Sequence, residues 1–147
     1  MSLQTWYENG WLHTHQTSQK EISNLLGIVY RDLEDAQGKS LSSDWQFGIA
    51  YNAALKLCTC LVYAEGFRPE KNLAHYRTLQ ALHMILGDAH RNDAAYLDAC
   101  RMKRNTLEYD VAGVATQADA DELLAYVQEL RETVIEWLNK QHSDLIL

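Results

Sequence analysis

The sequence predicts an all-α fold: an up-and-down four-helix bundle with a short extra N-terminal helix. Three observations carry that reading. Chain breakers are scarce, with one proline and seven glycines in 147 residues, so helices can run uninterrupted. Apolar residues recur at three- and four-residue steps in five successive segments, and no segment reads convincingly as a strand. The connections are short, so neighbouring helices are expected to run antiparallel. With 47 % apolar and 22 % charged residues, residues 1–147 form one globular domain, its core spanning about 18–140.

The first seventeen residues contain Trp6, Tyr7, Trp11, His13 and His15. They are too aromatic for a disordered tail and are expected to pack across the bundle as the short helix. Segment one runs from about Ser18 to Gln37, with Ile22, Leu25, Leu26, Val29 and Leu33 on one face and Gly38 as a C-terminal stop. Segment two runs from about Ser43 to Glu65, with Ser42 or Ser43 as its N-cap. It is apolar nearly all round, so it is central or covered by a partner on its second side. The clearest break is Gly66-Phe67-Arg68-Pro69. Segment three follows from about Lys71 to Leu86, its stripe being Leu73, Tyr76, Leu79, Leu82 and Leu86, and it stops at Gly87. Segment four starts near Asn92 or Asp93 and ends near Tyr109. Val111 to Thr116 reads as a loop. Segment five runs from about Asp119 to Lys140, and its early acids suit the positive end of the helix dipole.

The formal charge is −7, from 13 basic and 20 acidic residues. Such a surface disfavours non-specific binding to nucleic acid or an anionic membrane. The total hides a gradient. Lys71 to Tyr109 carries six basic and four acidic residues, whereas Asp110 to Leu147 carries two and eight. An anion site is therefore expected in the third quarter of the chain. No basic start precedes an apolar core at the N-terminus, and no apolar run reaches the length of a membrane span. The expected location is the cytoplasm. Cys58 and Cys60 point to nearly opposite sides of a helix and cannot pair; with Cys100 they read as reduced packing residues. No zinc spacing, no paired Glu-x-x-His and no Gly-rich phosphate loop is present, so neither metal nor cofactor is expected. The four tryptophans read as core and dimer anchors rather than a platform for bases.

Segment four contains Cys100-Arg101-Met102-Lys103-Arg104-Asn105-Thr106-Leu107-Glu108-Tyr109-Asp110. Taking Arg101 as zero on a helical wheel, Asn105 lies at about 40°, Tyr109 at about 80°, Glu108 at about 340° and Arg104 at about 300°. The apolar stripe of Leu97, Cys100 and Leu107 spans about 240–320°, so Arg104 falls inside it. An arginine there must be paired or face an interface. One reading is structural pairing, with Glu108 for Arg104 and Asp98 for Arg101. The other is an anion site, since two arginines, an amide and a phenol on one face can hold a phosphate.

Arg101-x-x-Arg104-Asn105-x-x-x-Tyr109-Asp110 resembles the end of the fourth helix in the HEPN superfamily of small all-α proteins, many of them ribonucleases. The Gly66-Phe67-Arg68-Pro69 break, the polar helix start with His75 and the long last helix are similar to one bacterial subgroup. The likeness covers roughly Ser18 to Lys140. It implies Arg104 and Tyr109 as catalytic positions, with Arg101, Asn105 and His75 binding ligand. Tyr109 stands where the ribonucleases carry histidine. A tyrosine, with a reference pKa of about 10, is a poor general base near neutrality but a good hydrogen-bond donor. Three functions follow as expectations. The first is binding of RNA or a nucleotide phosphate without efficient cleavage. The second is a metal-independent ribonuclease of toxin or defence type, with Tyr109 or His75 in place of the histidine. The third is a dimeric module accompanying a nucleotidyltransferase or antitoxin partner. A homodimer is expected in each.

Overall fold

A computed structural model of the chain describes residues 2–109 and 112–146, without the side chains of Glu108 and Tyr109. The chain is an all-α helical bundle. A short helix α1, Leu3–Glu8, precedes five long ones: α2 Gln19–Asp35, α3 Ser43–Ala64, α4 Ala74–Leu86, α5 Arg91–Tyr109 and α6 Gln117–Gln141. All five segments read from the sequence are helices.

Local chemistry sets most of the starts. The hydroxyls of Ser2, Ser18 and Ser42 accept from backbone N–H groups three residues on, at Thr5, Glu21 and Trp45. Thr116 and Asp119 form a reciprocal capping box at the head of α6. The start of α4 differs from expectation, falling three residues later than Lys71. Leu73 there adopts a left-handed φ of 56°, with no side-chain cap. Gly87, at φ 112°, ends α4 as expected, and the turn Asp88–His90 leads into α5.

α3 is the central helix and packs against α2, α4, α5 and α6. By length and apolar composition alone it could cross a membrane, but 67 % of the qualifying stretch is buried inside the bundle. Its Leu57, Cys58 and Leu61 are fully buried, meeting Val29 and Ile22 of α2, Leu79 and Leu82 of α4, Leu97 of α5, and Leu123, Val127, Val134 and Leu138 of α6 in one core. Each such side chain contributes about 1.5–3 kcal/mol by leaving water. This explains why α3 lacks a polar face: its neighbours lie on several sides.

The sequence reading found no strand, yet two short ones exist. β1, Leu12–Thr14, pairs antiparallel with β2, Phe67–Pro69, matching Leu12 to Pro69 and Thr14 to Phe67. Three residues are too few to show alternation, and their pairing joins chain segments far apart in sequence. The Gly66-Phe67-Arg68-Pro69 break is thus the second strand of this sheet. The sheet lays the N-terminal segment over a second small core of Trp6, Leu12, Val62 and Ala81. The tryptophans divide: Trp6 is buried, Trp11 and Trp137 are half-buried, and Trp45 is 65 % exposed, which removes it from the core.

The loop before α6 is tied back to the head of α3. Asp44 accepts from the backbone N–H groups of Gly113 (2.6 Å) and Ala115 (3.1 Å), and the Ser43 hydroxyl donates to the Ala115 carbonyl (2.6 Å). These bonds hold the loop before α6 against the start of α3.

Candidate functional site

The site candidates lie where α5 meets α3 and α4. Arg101 and Arg104 are three apart on α5 and therefore neighbours on its surface. The Arg101 Nε donates to Asp98 Oδ1 at 2.8 Å, and its guanidinium carbon lies 5.8 Å from the Tyr76 ring of α4. The Arg104 guanidinium carbon lies 5.7 Å from the Tyr51 ring of α3. Arg104 is half-buried and engaged rather than free. Asn105 follows it, also half-buried.

His75 is the second residue of α4. Its pKa is lowered from the ordinary histidine value, first by desolvation, then by the charges of Arg104, Lys56 and Arg101. Lys56 projects from α3, and these four groups share one electrostatic neighbourhood. Tyr51 belongs to it too. Burial pushes its phenol well above the usual range, while the charges of Arg104 and then Arg101 pull the other way. Tyr51 is 1 % exposed, and its hydroxyl has no hydrogen-bond partner among the described residues.

Of the residues singled out in sequence, Arg101, Arg104 and His75 come together, with Asn105 beside them. The backbone of Tyr109 ends α5, but its side chain lies outside the described residues. The side chain of Glu108, the expected structural partner of Arg104, and the whole of Asp110 lie outside them as well. The expected pairing of Arg101 with Asp98 is present. It uses one of the five N–H donors a guanidinium carries, so it orients Arg101 without exhausting it.

Tyr51 and Lys56 were not read as site residues. A signal existed: a phenol and a lysine in a helix apolar nearly all round each need a reason to be there. Conversely, part of the basic excess in this quarter is structural. Lys103 pairs with Asp119 of α6 at 2.9 Å, Arg91 with Asp88 at 3.0 Å, and Arg77 stacks 4.7 Å from the Trp11 ring.

Arg101, Arg104 and Lys56 all act on His75, and guanidinium groups can hold an anion by charge-assisted hydrogen bonds. A surface cleft of about 460 Å³ lies elsewhere, lined by Gln37, Lys39, Gln46, Gln117 and Asp121 among others. Its one cation is offset by one acid, so it offers no comparable seat. No cluster of histidine, cysteine, aspartate or glutamate able to hold a metal ion occurs among the described residues. The three cysteines are buried free thiols, and burial pushes the Cys100 thiol up to about 11, away from reactivity.

No protein-family model, curated protein or solved structure matches the chain.

Proposed function

We propose that this protein is a HEPN-like cytoplasmic domain that binds RNA or a nucleotide through phosphate, at the face formed by Arg101, Arg104, Asn105 and His75. One observation carries the reading: cations from α3 and α5 gather around a histidine of α4 in an otherwise acidic chain. Arginine suits the task because its planar fork matches two phosphate oxygens. A half-buried setting strengthens each such bond over its value in water.

The test is one variant read two ways. Arg104→Ala is expected to weaken binding of adenosine monophosphate or a short single-stranded RNA by about 1.5–3 kcal/mol, the worth of hydrogen bonds to a charged group. Its melting temperature should stay close to wild type. A large drop in melting temperature, with no ligand found for the wild type, would mean that Arg104 is a structural ion-pair residue.

A second reading, metal-independent RNA cleavage, is favoured by the placement of His75. A depressed pKa leaves its imidazole neutral at pH 7, able to accept a proton from a ribose 2′-hydroxyl. Cleavage of a mixed RNA pool in chelator, abolished in His75→Gln, would establish it. We further propose a homodimer, since Trp45 and Met102 are 65 % and 53 % exposed and suit a partner surface. Light scattering giving 16.8 kDa, the mass of one chain, at micromolar concentration would overturn it.

A further inference from the structure

The cleft of about 460 Å³ opens where the end of α2 and the loop after it meet the heads of α3 and α6. Its apolar lining is Ala36 and Ala120, both buried, and Leu124, half-buried. Its polar lining is dominated by three carboxamides, Gln37, Gln46 and Gln117. Lys39 and Asp121, both exposed, cancel in charge, so the cleft is neutral overall. Apolar walls with a few fixed polar groups are the makeup of a small-molecule site.

The bonds these amides make set their orientation. The Gly38 carbonyl can only accept, so the Gln46 atom that meets it at 3.1 Å is the amide nitrogen. The Gln46 Oε1 accepts in turn from the Gln117 Nε2 at 2.9 Å, and that nitrogen also donates to Asp121 Oδ1 at 2.9 Å. Gln46 is only 9 % exposed, so the chain of bonds is anchored from its inner end. Gln117 commits both of its N–H donors to these bonds, and its oxygen is left to accept. Gln46 commits one of its two N–H donors among the described residues, and the other is left to donate. The two amides are bonded to each other and both line the cleft. They therefore offer it one donor and one acceptor as neighbours.

We propose that this cleft binds a small neutral molecule through a lactam edge, a C=O and an N–H held side by side on a flat ring, as in a uracil-type base. The ligand N–H donates to the Gln117 oxygen, and its C=O accepts from the Gln46 nitrogen. The ring lies against the apolar lining, which a bare polar ion could not use. The cleft shares no residue with the anion face, and the proposal does not rest on it.

Proton–nitrogen correlation NMR of the full chain reads the side-chain amide signals of Gln46 and Gln117 during titration with two probes. One is uridine, and the other is uridine methylated on its imide nitrogen, which lacks the lactam hydrogen. Uridine should shift both signals, and the methylated probe should bind about tenfold more weakly, the worth of one hydrogen bond. Gln117→Ala, at an exposed position, should melt like wild type and also bind uridine about tenfold more weakly. The two probes on wild type test the proposal even if that variant misfolds. Excess inorganic phosphate should leave uridine in place. No shift of either amide at the solubility limit of uridine would overturn the proposal, as would equal binding of the two probes. Displacement of uridine by phosphate would assign it to the anion face, overturning this proposal and leaving that face standing.

Discussion

Around the small sheet and the far end of α3, histidines and carboxylates meet in matched pairs. His13 bonds Glu70, His15 bonds Glu21 at 2.7 Å, and His142 faces Glu65 at 3.7 Å. His15 also stacks on Tyr63 with ring centres 4.2 Å apart, and Thr17 donates to Glu21 at 2.7 Å. At the α3–α4–α5 face, Arg101, Arg104 and Lys56 all act on His75, and the Arg104 guanidinium lies over the Tyr51 ring. The first region meets each of these carboxylates with a donor, which is what fastening a segment requires. The second gathers cations of two helices around a histidine of a third, which only a ligand or a distant partner gives a reason for. Counting histidines or arginines would rank the two regions alike. Only the balance of partners separates them.

The largest expected effect sharpens that contrast from the fastened side. Leu12 is 2 % exposed in the core beneath the sheet. Leu12→Ala should cost about 2–5 kcal/mol of stability by leaving a cavity. Denaturant unfolding would measure it, and any phosphate affinity of the folded protein should be unchanged. Loss of binding at full folding would show that the two regions are coupled.

Next comes Asp98→Asn. It removes the carboxylate that pairs with Arg101 and leaves that guanidinium without this ion-pair partner. The cost should be about 1 kcal/mol, since both partners are about one-fifth exposed. Affinity for phosphate should rise, because nothing then competes with the anion for Arg101. A fall in affinity at unchanged fold would contradict the anion-face reading.

A smaller effect concerns pH. Glu21 and Glu70 have lowered carboxyl pKa values. For Glu21, burial opposes the shift, but the hydrogen bonds from Thr17 and His15 outweigh it. For Glu70 the bond to His13 leads. A carboxyl whose pKa is lowered by folding adds stability above its unfolded value, and that stability is lost as pH falls through the folded value. Melting temperature should therefore decline on acidification below about pH 4.5, the unfolded glutamate range. In Glu21→Gln that decline should be shallower, by a few tenths of a kcal/mol for so exposed a pair. An identical acid slope in the variant would remove Glu21 from the fastening.

The smallest effect is a titration shift. His75 should titrate below the ordinary histidine midpoint of about 6.5, because desolvation and then the charge of Arg104 disfavour its imidazolium. Phosphate seated between the arginines would offset those charges and move the midpoint up. Proton NMR of the His75 ring, with and without phosphate, reads this directly. A midpoint that phosphate leaves in place would put the anion elsewhere.

The sequence by itself determined what is local. The three- and four-residue steps of Ile22, Val29 and Leu33, or of Leu123, Val127 and Leu130, announce helices because a helix repeats within a single turn. Ser42 as a cap, Gly87 as a stop and Asp98 three residues before Arg101 were legible for the same reason. The tertiary structure decided what depends on residues distant along the chain. It paired Leu12 with Pro69 in a sheet too short to show a pattern, and left Trp45 in water although its type suggests the core. It also brought Tyr51 and Lys56 of α3 and His75 of α4 to the arginines of α5. Periodicity names the face a residue occupies on its own helix. Which other helix covers that face, and whether a buried hydroxyl or a surplus cation finds a partner there, is fixed only when the helices pack.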